Sequence, residues 1–152
     1  MNADIKLDKD CIHVVFLGLP NVPGVASRIF GTLAENNFNF DMITQNTMRG
    51  GRSDLSFLIN KNRLDDVLPI CRKLSDDIGA QSVSFATEIA AIKIKINLNN
   101  NAQDILVKMF NALANAGANI EIINATTESV IFIVSLRHAD EGFNALNKIF
   151  EN

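Results

Sequence analysis

The residues of this chain best suited to chemistry are arranged for binding a ligand. A loop of Asn21-Val22-Pro23-Gly24 leads into an apolar helical pattern, and Asp41 follows on a later strand pattern. Glycine permits a close backbone approach, and the first amides of a helix are unpaired at the positive end of its dipole. Such amides can hold a carboxylate without an arginine. Asp41 could accept a hydrogen bond from an ammonium group, and Gln45 could bond the rest of the ligand.

The sequence shows no catalytic or metal-binding motif. The two histidines, His13 and His138, and the two cysteines, Cys11 and Cys71, lack the spacing of a zinc site. There is no GxxxxGKS/T, GxGxxG or GxSxG sequence, so neither a phosphate-binding loop nor a nucleophile elbow is predicted. We therefore expect no catalytic site, no cofactor, no metal, and two reduced cysteines.

Composition and charge favour a soluble protein that binds neither nucleic acid nor membranes. Apolar residues make up 47% of the chain, charged residues 20%, and the net charge is −3. The basic residues are scattered, and Trp and Tyr are absent, so nucleic-acid binding is not expected. The N-terminus, MNADIKLDKD, lacks the apolar stretch of a signal peptide, and no run approaches the roughly 20 residues of a membrane span. We expect a cytoplasmic protein.

The chain contains an internal repeat. Residues 28–43, RIFGTLAENNFNFDMI, align without a gap on 108–123, KMFNALANAGANIEII, at an offset of 80 (108 − 28). The matches include apolar and polar positions alike. Two copies of one module explain them, and we place the first at 10–87 and the second at 88–152.

Each copy has a pattern typical of a ferredoxin-like α+β module. In the first copy, strands are predicted at 12–19, 39–48, 53–60 and 80–87, with helical spacing of apolar residues after the first and third. The order is β-α-β-β-α-β, with an antiparallel sheet and both helices on one face. Pro69 interrupts the second helical pattern and is tolerated if that helix begins near Asp65 or Asp66.

The second copy stops before its fourth strand. Strands are predicted at 89–97, 119–126 and 129–136, and helices at 103–116 and 139–151. A sheet without its last strand would leave an exposed edge. Because Ile5 and Leu7 alternate with polar residues, we expect residues 3–8 to supply the missing strand. A frayed N-terminus is the alternative.

Alternation predicts which side chains of the second strand share a face. Phe38, Phe40 and Met42 are expected on the core face, and the opposite face is expected to carry Asn39, Asp41, Ile43 and Gln45. That opposite face of the sheet would also present His13, Val15 and Leu17. An exposed apolar face of this kind favours association with a second module.

The first copy resembles the first ACT module of the aspartokinase regulatory region. The resemblance is carried by these motifs: Pro23-Gly24-Val25-Ala26, Leu33-Ala34, Asn39-Phe40-Asp41-Met42, Gln45-Asn46 and Ser53-Asp54-Leu55-Ser56-Phe57. In the second copy, Met109-Phe110 and residues 117–123 are similar to the second module of that family. The resemblance extends over about 12–151.

The resemblance implies a feedback-regulatory function. It implies two ACT modules that bind an amino-acid effector, lysine or threonine, for a kinase of aspartate-family biosynthesis. The effector site it implies consists of Asn21, Pro23, Gly24, Val25, Ala26, Asn39, Phe40, Asp41 and Gln45. Structural alternatives are a plain tight turn at Pro23-Gly24, a solvated Asp41 and a turn-capping Asn39. The exposed apolar face predicts a homodimer through the ACT modules. The resemblance implies a kinase catalytic domain or subunit as a further partner.

Two departures from the family pattern restrict this reading. Nothing in the sequence resembles the kinase domain, so the chain is expected to be a regulatory subunit or a fragment of a longer kinase. In the second copy, Gln103-Asp104 stands where Pro-Gly would fall, so a second effector site is doubtful.

Three other readings remain open from the sequence. The chain could be an ACT subunit of another amino-acid-controlled enzyme, such as acetohydroxyacid synthase. It could be a ferredoxin-like interaction domain that senses nothing. A small enzyme or an RNA-binding domain is the third, although convergent titratable groups and exposed aromatic residues are not evident.

Overall fold

The computed structural model describes residues 2–98 and 101–151, which form two compact units. One unit is Asp10–Thr87, and the other combines Met1–Lys9 with Glu88–Asn152. In chain order the elements are β1 (Asp4–Asp8), β2 (Cys11–Pro20), α1 (Val25–Glu35), β3 (Phe40–Met48), β4 (Arg52–Asn60), α2 (Leu64–Ile78), β5 (Ser82–Ala86), β6 (Ile89–Lys95), α3 (Ala102–Asn115), β7 (Ile120–Ala125), β8 (Ser129–Ser135) and α4 (Ala139–Phe150).

The Asp10–Thr87 unit is a four-stranded antiparallel sheet with strand order β3-β4-β2-β5. Helix α1 buries Ile29 and Leu33, which are four residues apart and therefore share one side of the helix. The ring of Phe30 packs against Phe40 at 4.7 Å and against Phe57 at 5.5 Å between centroids. The core thus lies between the sheet and its helices, as predicted.

The other unit has the same arrangement, with strand order β1-β6-β8-β7. Strand β1 pairs antiparallel with β6, from Asp4 opposite Lys95 to Asp8 opposite Ala91. Ile5 and Leu7 pack against the core of this unit. The prediction that the N-terminal segment supplies the fourth strand is confirmed, because its alternating apolar residues complete a sheet that would otherwise end at β6.

Helix α2 contains Pro69 as its sixth residue. The helix begins at Leu64, one or two residues before the predicted start, after a short 3₁₀ turn at Lys61–Arg63. Proline at this position removes one backbone hydrogen bond near the helix start. Asp65 and Asp66 lie in the first turn, where the helix dipole favours negative charge.

Strands β2 and β3 each contain a β-bulge. In β2 the register shifts between Phe16 and Leu19, around Gly18, which has φ of 62°. In β3 the register shifts between Asp41 and Thr44, where Met42 has φ of 49°. An extra residue opposite a single partner bends a strand and re-aims the side chains that follow it.

The helices do not resemble membrane spans. Within residues 2–98 and 101–151, none of the helices has the length and apolar character needed to cross a bilayer.

Candidate functional site

The loop between β2 and α1 presents a helix start that a ligand can reach. Asn21, Pro23 and Gly24 are exposed, and Gly24 has φ of 95°, in the left-handed region that favours glycine. Within the described residues, no side chain hydrogen-bonds to the start of α1. The first amides of the helix, beginning at Val25 and Ala26, are therefore unpaired donors suited to a carboxylate.

Cross-strand pairing decides which side chains of β3 share a face. Phe40 lies opposite Ile59 and Asp41 opposite Leu58. Beyond the bulge, Thr44 lies opposite Ser56 and Gln45 opposite Leu55. Directly opposed residues of antiparallel strands project to the same side of the sheet.

The prediction that Asp41 and Gln45 share the face opposite the core is wrong. Leu55 belongs to the core of this unit, so Gln45 projects to the side of the sheet that carries the helices. Its Nε2 lies 3.5 Å from the Oγ of the buried Ser53. Asp41 projects to the other side. The cause is the bulge, since Met42 and Ile43 together oppose Phe57, and this extra residue reverses the alternation that follows.

Asp41 and the Asn21–Gly24 loop also lie at opposite ends of the strands. Asp41 is level with Leu58, whereas Pro20, the last residue before the loop, is level with Arg52. These two positions are six residues apart along β4 (58 − 52), or about 20 Å at roughly 3.3 Å per residue. Within one module, therefore, a small ligand at the start of α1 does not reach Asp41.

The predicted site residues accordingly form two groups. The first, here the loop group, lies at the loop end of the sheet, and its members are Asn21, Pro23, Gly24, Val25 and Ala26. Gln45, opposite Leu55 on the helix side, lies midway between the two groups. The second, here the Asp41 group, lies at the opposite end, and its members are Asn39, Phe40 and Asp41. Phe40 is half-buried against Phe30, so its ring contributes to packing.

The face on which Asp41 lies is less exposed than the sequence predicts. His13, Val15 and Leu17 on this face are half-buried. Ile43, which was predicted to share it, is 48% exposed and lies in the bulge opposite the core residue Phe57. Burial lowers the pKa of the His13 imidazole below its usual value of 6.5. His13 is therefore a neutral polar side chain at neutral pH.

Sequence reasoning missed that Thr44 and Asn46 share a face of the sheet with Asp41. Both lie beyond the bulge on the Asp41 face, and the hydroxyl of Thr44 hydrogen-bonds with that of Ser56. A glycine at the bulge would have signalled it, because glycine favours positive φ. The bulge residue is Met42, which carries no such signal.

The second module departs from the first at the corresponding positions. At the offset of 80, Gly24 corresponds to Asp104, which lies inside the first turn of α3 and not in a loop before it. Gln45 corresponds to Ala125, which lies opposite the core residue Val130. An acidic residue at the helix start disfavours a bound carboxylate, so the start of α3 differs in this property from the start of α1.

Titratable groups do not converge on a metal site in this structure. No cluster of three or more His, Cys, Asp or Glu side chains that could hold a metal ion occurs in the described part of the chain. The side chain of Asp41 folds back onto strand β3, where its Oδ1 accepts a 2.7 Å hydrogen bond from the backbone amide of Met42.

Comparison with known proteins finds relatives with the same fold, and these relatives include regulatory proteins. The ACT domain model matches residues 13–76. The chain is 29% identical over 150 residues to an aspartate kinase of Pseudomonas fluorescens, covering 98% of this chain and 36% of that kinase. It therefore spans about a third of the length of its curated relatives.

Two solved structures are similar over nearly their whole length. The ligand-free regulatory subunit of aspartate kinase from Thermus thermophilus matches with a TM-score of 0.85 and 28% identity, covering 97% of both chains. A structure of aspartokinase alpha and beta subunits contains a chain that matches with a TM-score of 0.83 and 28% identity, covering 96% of both.

The ACT domain model matches residues 13–76, within the Asp10–Thr87 unit, and the other unit repeats the same four-stranded topology, so the fold is that of two ACT-like modules. Over nearly its full length, the chain is homologous to the regulatory region of aspartate kinases, which also occurs as a separate subunit.

Proposed function

We propose that this chain binds lysine or threonine and thereby exerts feedback control on an aspartate kinase of amino-acid biosynthesis. The proposal rests on the geometry at the start of α1. The chain enters this helix through Gly24 in a left-handed conformation, and no described side chain caps the first amides. Gln45 projects to the same side of the sheet as this helix. A free amino acid supplies the carboxylate that such amides bind.

The ammonium group of the effector needs an acceptor, and Asp41 is the acidic residue of the predicted site. Hydrogen bonds to a charged group contribute roughly 1.5–3 kcal/mol, which suits a small ligand with few contacts. Since Asp41 lies about 20 Å from the loop group of its own module, it serves a ligand bound to another copy.

A homodimer provides this second copy. Strand β3 is an edge of its sheet, and Ile43 and Met48 on it are 48% and 51% exposed. Two β3 strands related by a two-fold axis run antiparallel, which places the Asp41 end of one beside the loop end of the other.

The kinase itself is the proposed target of regulation. The chain covers 36% of the length of its curated aspartate kinase relatives. A similar chain occurs in the structure of aspartokinase alpha and beta subunits. We infer that it acts on a catalytic domain or subunit in the cytoplasm. Effector binding at the dimer would change the relative geometry of two modules, with a coupling free energy of roughly 1–3 kcal/mol.

Calorimetry with lysine, threonine, methionine and the branched-chain amino acids tests the sensor directly. We expect heat of binding with lysine or threonine. Heat with a branched-chain amino acid alone indicates a regulatory subunit of another biosynthetic enzyme. The absence of heat with all of them rejects the sensor and leaves an interaction domain.

A matched pair of variants tests the role of Asp41. Asp41→Asn removes the charge but keeps an oxygen that can accept the bond from Met42, so the bulge is retained. We expect binding to weaken by about tenfold or more. Glu121→Gln, at the corresponding position of the second module, should leave affinity within about twofold.

Gel filtration tests the dimer. A monomer at micromolar concentration that nevertheless binds effector with full affinity contradicts a site shared between two copies.

A further inference from the structure

A group of contacts that the proposed site does not use lies where the chain leaves β2. Gly18 forms the bulge of this strand with φ of 62°, and its amide donates a 2.9 Å hydrogen bond to Oδ1 of Asp54. Gly18 is three residues before Asn21, the first residue of the Asn21–Gly24 loop. The geometry of the bulge therefore sets the direction in which the chain approaches α1.

Arg52 holds the other side of this bulge. Its Nη1 donates to the carbonyl oxygen of Gly18 at 2.9 Å and to that of Gly79 at 3.1 Å. Gly79 ends α2 in a left-handed conformation, and a cation is favourable at a helix C-terminus. A single guanidinium thus connects the bulge in β2 with the end of α2.

The bulge has little freedom to relax. A Cβ at position 18 would lie 2.5–2.6 Å from atoms of the Gln81 side chain, so that side chain packs directly over the glycine. The amide of Gln81 donates to the carbonyl of Leu17 at 2.9 Å. Together with Asp54 and Arg52, these contacts hold both peptide groups of Gly18.

The same contacts extend to the loop. Pro20 lies opposite Arg52 in the sheet, and the amide of Asn21 donates to the carbonyl of Gly51, the residue before Arg52, at 2.8 Å. The carbonyl of Gly51 and the side chain of Arg52 therefore hold the two ends of the Gly18–Asn21 segment that leads into the loop.

We propose that Arg52 is a positioning residue for the amino-acid site, because its guanidinium fixes the Gly18 bulge and hence the loop that delivers the first amides of α1. This inference rests on the proposed function. Arg52 acts through the backbone of the loop and does not itself touch the ligand. Binding geometry at the helix start depends on this support, since a displacement of the loop moves all the donor amides together.

Arg49 supplies a matched control. It carries the same charge and lines the same cavity of about 540 Å³ as Arg52, together with Gly18, Asp54 and Gln81. It lies in the hairpin turn between β3 and β4 and is exposed. Arg49→Gln and Arg52→Gln remove equal charge from one cavity, so a general electrostatic effect on a carboxylate ligand changes both affinities equally.

The experiment measures affinity for threonine and for lysine by calorimetry on the complete chain. We expect Arg52→Gln to weaken binding by about tenfold or more and Arg49→Gln to change it by less than about twofold. In the ligand-free protein, Arg52→Gln should shift the amide resonances of Asn21–Ala26 and speed their hydrogen exchange, whereas Arg49→Gln should not. Equal affinities and equal loop resonances in the two variants overturn the inference.

Two further outcomes are decisive. If Arg52→Gln does not fold, Arg52→Lys is compared with Arg49→Lys. Weaker binding by Arg52→Lys supports the inference, and equal binding overturns it. If the unaltered chain binds neither amino acid, the proposed function fails and this inference fails with it. Binding by the unaltered chain that Arg52→Gln preserves rejects the positioning role alone.

Discussion

The carboxylate of Asp41 accepts a 2.7 Å hydrogen bond from the amide of Met42, the next residue in β3. Met42 has φ of 49° and is 9% exposed. A bulky residue in the left-handed region costs roughly 1–2 kcal/mol, so this bulge is maintained by the contacts around it. The bond joins the bulge to the acidic residue of the proposed site.

Substitutions at Met42 test this strained conformation. Met42→Ala and Met42→Gly both lose the side chain, but glycine adopts positive φ without strain. We therefore expect Met42→Gly to be more stable than Met42→Ala by about 1 kcal/mol. Urea unfolding monitored by circular dichroism gives the comparison.

Met109 is the control, because at this helical position the alanine variant should be more stable than the glycine variant. Met109 is fully buried in α3, so Met109→Gly should be less stable than Met109→Ala by about 1 kcal/mol. If alanine is also the better residue at position 42, the left-handed bulge is absent in solution.

The two exposed glycines near the start and in the middle of α1 should respond oppositely to alanine. Gly24 has φ of 95°, whereas Gly31 is helical, and a Cβ at either meets open space. Gly24→Ala should therefore lower the free energy of unfolding by about 1–2 kcal/mol through backbone strain. Gly31→Ala should raise it by about 0.5–1 kcal/mol through helix propensity. Destabilisation of similar size by both would show that Gly24 is not left-handed.

Stability should fall in mildly acidic solution because of His13. Burial lowers the pKa of its imidazole below 6.5, so the unfolded chain binds the proton more tightly than the folded one. The stabilisation is complete above pH 6.5 and is lost as the pH falls from there towards the lowered pKa. Unfolding in urea at about pH 7.5 and about pH 5.5 measures this difference.

His13→Leu should reduce the pH difference, and His138→Gln, which leaves His13 in place, should preserve it. An unchanged difference in His13→Leu would assign the effect to other groups.

Both cysteines should be inert towards thiol reagents in the folded protein. Burial raises the pKa of the Cys71 thiol to about 12, and Cys71 and Cys11 are 0% and 3% exposed. The thiolate is the reactive form, so reaction requires unfolding. Ellman's reagent at about pH 8 should detect two thiols in denaturant and none rapidly in buffer.

A Cys71→Ser variant distinguishes the two thiols. In this variant Ellman's reagent should detect one thiol in denaturant, that of Cys11. Rapid labelling of the native protein at either position would contradict the packing of that core.

Local periodicity determined the elements, the repeat and the pairing of the N-terminal strand. Alternation of Ile5 and Leu7 with polar residues specifies a strand with one apolar face, and the second copy lacked a strand for its sheet. The spacing of Ile29 and Leu33 similarly specifies the buried side of α1. Such signals are contained in a few neighbouring residues and do not depend on the rest of the fold.

The tertiary structure decided how the predicted site residues are distributed. One extra residue opposite Phe57 reverses every later side chain of β3, which places Gln45 on the helix side and leaves Asp41 on the other. No residue near Met42 has the glycine signature of a bulge. Strand direction separates Asp41 from the Gly24 loop by about 20 Å. Both properties depend on hydrogen bonding between strands that are distant in sequence, and alternation along a single strand contains no information about it.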